Sequence, residues 1–317
     1  HMTDTNPAAT GGIDLENPEF KAAWRLIEHT GRSVFLTGRA GTGKSTFLRH
    51  ICATTSKAHV VLAPTGIAAV NVGGQTLHSF FKIPLRPLLS DDPDYAPSRI
   101  KQTLRFTKDK VKLLQEVQLI VIDEISMVRA DVIDFVDRVL RCYTGRMREP
   151  FGGKQLLMVG DVFQLPPVVK ADERKILSLQ YDNFFFFNAR VFAQLALLPI
   201  ELRKVYRQED PSFVALLDRV RSGNSLEADL AVINSRLQPD GGNGPGELVM
   251  TSATRRDTVS AINEAHMAAI NAPEVTYEGE IDGLFDVHQL PTEMHLTLKL
   301  GAQVLFIRND REHRWVN

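Results

Sequence analysis

Ser33-Val34-Phe35-Leu36-Thr37-Gly38-Arg39-Ala40-Gly41-Thr42-Gly43-Lys44-Ser45-Thr46 is the stretch that decides the fold. Ser33 to Thr37 is a short apolar run closed by Gly, which predicts a buried strand. Gly38 to Ser45 then satisfies G-x4-G-K-[ST] in full, and the sequence from Lys44 to about Thr54 reads as a helix. A strand, a Gly-rich turn and a helix start in that order form a phosphate loop. The glycines let backbone N–H groups wrap phosphates, and the helix N-terminus adds partial positive charge. Gly38, Ala40, Gly41, Thr42, Gly43 and Thr46 are the expected cradle for the phosphates of a nucleoside triphosphate. Lys44 reaches the β- and γ-phosphates, and the Ser45 hydroxyl is placed for Mg2+.

Downstream, Val117 to Ile122 predicts an apolar strand closed by Asp123-Glu124, seventy-nine residues after Lys44. Asp123 is the expected Mg2+ carboxylate, and Glu124 would orient or deprotonate an attacking water. Gln155 to Val159 predicts another strand, ending at Gly160-Asp161-Val162-Phe163-Gln164-Leu165-Pro166-Pro167. Gln164 can bond both a γ-phosphate and a water there; the two prolines also suit a merely fixed turn. With His59–Ala63 as a further strand, and helices over 18–28 and 130–142, the alternation means an α/β fold with a parallel, doubly wound sheet. Each polar motif follows the C-terminal end of a strand, where such sheets place ligands.

The chain's 37 Lys+Arg against 38 Asp+Glu exclude a globally basic nucleic-acid binder, so a polyanion must meet a local patch. Two Cys with no partner motif argue against a disulfide scaffold. No apolar run is long enough to cross a bilayer. Residues 1–16 read as a flexible leader, His1-Met2 being a tag remnant. Residues 82–98 read as irregular, and 99–117 as a basic helical stretch. Residues 211–237 read as helical, 238–246 as a linker and 256–270 as a helix, with strands at 248–251 and 304–307. Phe184 to Phe187 read as core, and the acids then bases of 131–148 as a helix suited to its dipole.

Taken together, GRAGTGKST, APTGIAAVNVGGQTLHSFF (63–81), VIDEISMV (121–128), FGGKQLLMVGDVFQLPPV and ELRKVYRQ (201–208) resemble the Pif-type DNA helicases, the 5′-to-3′ group of superfamily 1. The resemblance spans about residues 18–317. It implies a phosphate-loop NTPase with a RecA-like ATPase domain (17–199), a wedge-like insertion at about 82–116, and the start of a second RecA-like domain (200–317). It implies ATP and Mg2+ as cofactors, and single-stranded, forked or structured DNA as partner. It also implies roles in DNA repair, recombination and telomere maintenance, and a monomer without membrane attachment. The place of action would be the cytoplasm or nucleoid in bacteria, and the nucleus or mitochondrion in eukaryotes.

The same resemblance makes Arg207 an arginine finger, where the residues alone allow an ion pair with Glu201 or Glu209. It makes Pro64, Thr65, Gly66, His78 and Ser79 DNA contacts; His78 beside Phe80 and Phe81 also suits a core histidine. Thr254 and Arg255 resemble a further contact, or charges at a helix start. The basic residues of 99–112 are a phosphate track or a solvated face. The family's adenine-reading Gln is missing. In its region Phe20 could stack on a base and Asn17 could read its edge. TIHKSQG-like and VALSR-like runs are also missing, so the chain reads as truncated within the second domain, with weak turnover expected. The alternatives are a RecD-like or relaxase-associated helicase, and a nucleotide-switched DNA-binding module.

Overall fold

A computed structural model describes residues 13–206, 210–237, 249–281, 290 and 292–305. The first part of the chain runs α1 (Pro18–His29), β1 (Val34–Gly38), α2 (Lys44–Thr54), β2 (His59–Ala63), α3 (Gly66–Asn71), β3 (Gln75–Thr76), α4 (Leu77–Phe81), α5 (Ile100–Leu104), α6 (Lys108–Glu116), β4 (Leu119–Ile122), α7 (Ala130–Thr144), β5 (Gln155–Val159), α8 (Ala171–Leu177), β6 (Leu198–Leu202) and α9 (Pro211–Arg221). The six strands form one sheet in the order β3-β2-β4-β5-β1-β6, and every neighbouring pair is parallel.

The central strands β4 and β5 are buried at every position because both faces of the sheet are covered there. Along β4, Leu119 and Val121 join a core with Phe20, Ile27, Phe47 and Ile51 of α1 and α2. Ile120 and Ile122 point the other way, to Phe135, Val136 and Leu140 of α7. The helices start and stop where their caps dictate. Asn17 caps α1 by accepting from the amides of Glu19 and Phe20, with Pro18 at the first helical position. α7 ends at Gly145, whose φ of 75° suits glycine. Its acids and bases are structural: Arg141 bonds Asp137, and Asp134 accepts from Tyr181 and the amides of Arg190 and Val191.

Several elements differ from the sequence expectation. The basic stretch 99–117 is two helices, because Arg105 adopts φ 45° between them. Only Phe186 of the four-Phe run is fully buried, while Phe187 is 48% exposed and stacks on Phe185 at 5.3 Å. Residues 211–237 are broken after Arg221, with Gly223 at φ 71°.

By its contacts the chain divides into a first unit ending at Ser225 and a second beginning at Leu226. The sequence predicts the second unit from residue 200; β6 and α9 lie with the first. The second unit holds α10 (Glu227–Asn234), α11 (Arg256–Ala269) and an antiparallel pair, β7 (Glu274–Glu278) and β8 (His295–Lys299). Residues 249–251 and 304–305 are not strands; 248, 306 and 307 lie outside the described residues. Among the described residues no helix is long and apolar enough to cross a membrane.

Candidate nucleotide site and nucleic-acid interface

The C-terminal edge of the sheet gathers the polar motifs. β1 leads into the phosphate loop, whose Gly41 and Gly43 take φ of 79° and 88°. Gly43 stands at the N-terminus of α2, which has no side-chain cap and no acid in its first turn. Its first amides are therefore open to an outside acceptor, as an anion site requires. A Cβ at Gly43 would sit 3.0 Å from the Phe20 ring, and one at Gly38 would lie 2.7 Å from the Leu202 carbonyl oxygen. The loop is held from behind as well: Tyr206 N donates to Gly41 O at 2.8 Å, and Thr42 Oγ1 donates to Arg39 O at 2.8 Å.

Lys44 Nζ donates to Gly38 O at 2.7 Å and to Arg39 O at 2.9 Å. Burial pulls its pKa below the ordinary lysine value, and Asp161, Glu124 and Asp123 pull back the other way. Asp123 follows β4, and its carboxylate accepts from Glu124 N at 2.9 Å. Burial raises the carboxyl of Asp123; burial and then Asp123 raise that of Glu124. Glu124 takes φ 49° and ψ 41°, a left-handed conformation uncommon outside glycine. Gln164, after β5, donates from Nε2 to Asp161 Oδ2 at 3.3 Å. One amine, three carboxylates and an amide thus converge on one edge.

Ser45 is exposed at the start of α2, and Asp123 is partly buried opposite the loop. A hydroxyl and a carboxylate are a donor set that suits Mg2+, which keeps several waters and shares the phosphates. Among the described residues no cluster of three or more His, Cys, Asp or Glu forms a metal cage of its own.

Two expected base contacts have other occupations. The Phe20 ring is 4% exposed, stacked on Phe47 at 5.3 Å and facing Tyr206 at 6.4 Å. Asn17 spends its oxygen on the α1 cap and donates from Nδ2 to Tyr206 Oη at 3.0 Å. Both residues brace the loop from inside, which leaves neither a ring face nor an amide edge for a base. Tyr206 ties this brace to Asp14, whose carboxyl is held low by bonds from Lys204 and Tyr206. Arg207 lies outside the described residues.

Just past β2 and β3 the structure brings Pro64, Thr65 and His78 to one cavity of about 240 Å3, which Met127, Val128 and Arg129 also line. Thr65 caps α3 through Ala68 N, and Thr76 caps α4 through Ser79 N. Gly66 is buried beneath, and Ser79 is exposed. Burial and then Arg129 lower the pKa of His78, with Asp131 pulling the other way. Thr254 and Arg255 are exposed in the second unit, where Arg255, at the N-cap of α11, pairs with Asp257 in its first turn. A larger cavity of about 660 Å3 opens at the opposite edge of the sheet, among Glu28, Thr30, Lys57, Gln118 and Gln155. It holds none of the residues expected to touch nucleotide or DNA, and Lys57 there is already bonded to Ile27 O, Thr30 O and Gln155 Oε1.

The parallel sheet, the phosphate loop on β1 and the acidic pair after β4 define a phosphate-loop NTPase of RecA-like fold. Comparison is more specific: the profile of the family described as PIF1-like helicase matches residues 17–229, and the chain belongs to that family. It is 33% identical over 297 residues to the ATP-dependent DNA helicase PIF1 of Mus musculus, covering 92% of this chain and 43% of the mouse protein. The chain therefore spans less than half the length of that relative. Bacteroides sp Pif1 in complex with ADP-AlF4 superposes with a TM-score of 0.81 at 38% identity, covering 95% of this chain and 67% of the other. Bacteroides Pif1 bound to single-stranded DNA gives 0.75 at 38% identity, over 92% and 65%.

Sequence reasoning missed Tyr206, Asp161 and Arg221. Asp161 and Arg221 are sixty residues apart, and nothing local marks them as partners. The i, i+3 spacing of Asp218 and Arg221 was the one available signal.

Proposed function

We propose that this chain carries the ATP-hydrolysing motor of a DNA helicase that moves 5′-to-3′ along single-stranded DNA. The observation that supports this most is Lys44 at an uncapped helix start, within the field of Asp161, Glu124 and Asp123. Lys44 and the loop amides hold the phosphates. Ser45 and Asp123 would hold Mg2+, which when bound neutralises phosphate charge. Glu124, its carboxyl raised by burial and Asp123, accepts a proton from the attacking water. Gln164 reports the γ-phosphate to the turn after β5. Arg207 supplies a cation to the transition state, worth roughly 10³ or more in rate.

Pro64, Thr65, Gly66, His78 and Ser79 carry the DNA contact of the first unit, and Thr254 and Arg255 that of the second. We take the second RecA-like unit to begin after Ser225, since β6 completes the first sheet. Forked or structured DNA is the proposed substrate, and the protein acts as a monomer in the compartment that holds its DNA.

The test is ATP hydrolysis during titration with an oligo-thymidine strand, with Lys44→Ala beside it. Turnover should rise with the strand and drop by about 100-fold or more in the variant. Nucleotide binding with no strand-dependent turnover would favour the switched binding module instead.

A further inference from the structure

The most buried charged pair at the nucleotide edge joins Asp161, whose field reaches Lys44, to Arg221, which has had no role so far. Asp161 is 1% exposed, and Arg221 of α9 grips it twice, Nε to Oδ2 and Nη2 to Oδ1, each at 2.9 Å. The same carboxylate accepts from Phe163 N at 3.1 Å and from Gln164 Nε2 at 3.3 Å. The guanidinium also lies 4.4 Å from the centroid of the Phe163 ring. Arg221 therefore holds the turn 161–164 at both its carboxylate and its ring.

One turn back on α9, Asp218 lies 3.8 Å from Arg221 and 3.4 Å from Arg39 of the phosphate loop. Arg39 in turn gives its carbonyl to Lys44. α9 is thus a strut with one foot on the phosphate loop and the other on the turn that carries Gln164. A fork of two parallel bonds with a stacked ring is arginine chemistry that lysine copies only in part. Burial pushes the Asp161 carboxyl up, yet the bonds from Arg221 hold it below its ordinary value. The other charges facing Asp161 are Lys44 from α2 and Glu124 after β4. With Arg221 removed, Lys44 would be the cation left to answer a buried anion.

We propose that Arg221 is a positioning residue for ATP hydrolysis, pinning Asp161 and through it setting Gln164 against the phosphate loop, with Asp218 and Arg39 completing the strut. The role in hydrolysis rests on the ATPase reading above.

The test compares Arg221→Gln, Arg221→Lys, Asp161→Asn and the Arg221→Gln/Asp161→Asn double variant in the whole chain. Three quantities are read: affinity for a fluorescent ADP analogue, strand-stimulated kcat and KM, and amide exchange at Phe163 and Gln164. In Arg221→Gln the affinity and KM should stay within about threefold, while kcat falls about tenfold or more. Exchange at both amides should speed up in the same variant. Arg221→Lys should recover part of both losses. The double variant should be no worse than Asp161→Asn alone, as expected of residues acting through one contact. Unchanged kcat and exchange in Arg221→Gln would overturn the proposal. So would an equal collapse of affinity, kcat and melting temperature in the Gln and Lys variants, which marks a merely structural pair. If the unsubstituted chain hydrolyses no ATP, the ATPase reading fails by itself. The exchange measurement then still decides whether Arg221 holds the turn.

Discussion

Glu124 sits in a conformation that its side chain does not favour. At φ 49° and ψ 41° a residue with a Cβ costs about 1 kcal/mol relative to glycine. The cost is tolerated because both neighbours are fixed: Asp123 N bonds Leu62 O, and Ile125 is fully buried. Glu124→Gly should therefore unfold at higher urea than Glu124→Ala, by about 1 kcal/mol, although glycine loosens the unfolded chain. Both should lose turnover by about 100-fold or more. Equal stability of the two variants would show that the left-handed geometry is not strained. Nothing in the sequence marks this position, since Asp-Glu after an apolar strand says where the carboxylates are and not how the backbone turns. Asn17 and Phe20 teach the reverse. Asn before Pro at the start of a helical pattern is a cap signal legible in the sequence, and it takes up the amide that a base would have needed.

At the scale of elements, the turn after α2 is fastened to α1 by one carboxylate. Glu28 accepts from Thr55 Oγ1 at 2.7 Å, Ser56 Oγ at 2.5 Å and Ser56 N at 3.1 Å. Those bonds, the Ser56 hydroxyl foremost, hold its carboxyl at about 2 against an ordinary 4.5. A depressed carboxylate stabilises the fold above the unfolded pKa and ceases to do so as pH falls through the folded one. Glu28→Gln should cost about 1 kcal/mol at pH 7, given the partial exposure of the site. The gap from the native chain should close as pH falls from 4.5 towards 2. Urea melts at pH 7 and pH 3 check this, and a gap of constant size would refute it. The elements themselves were legible where one local pattern was enough: β2 and β5 fall on the predicted residues, as does α2. The break inside 99–117 was not, because it depends on packing. Lys110 folds back to 2.9 Å from the Phe80 centroid, and burial followed by Lys82 brings its pKa down to about 8. A run of lysines that looks solvated in sequence is partly turned inward.

For the whole molecule, the apolar cores decide what stands alone. Both cores are built from residues between Ile13 and Tyr206. In the second unit α11 buries no residue and all five residues of β7 are exposed. Residues 13–225 expressed alone should melt cooperatively, and residues 226–317 alone should show no cooperative transition by calorimetry. A sharp transition in the latter would mean a core not evident in the described residues. The order of the strands also reaches beyond the finished fold, to its making on the ribosome. β1, which bears the phosphate loop, lies between β5 and β6, both made more than a hundred residues later. At about 5–20 residues per second, β1 waits on the order of ten seconds for its first neighbour. The loop that reads first in the sequence is thus among the last parts to take shape. A nascent chain halted before residue 198 would expose an apolar strand edge, a point at which a chaperone could bind.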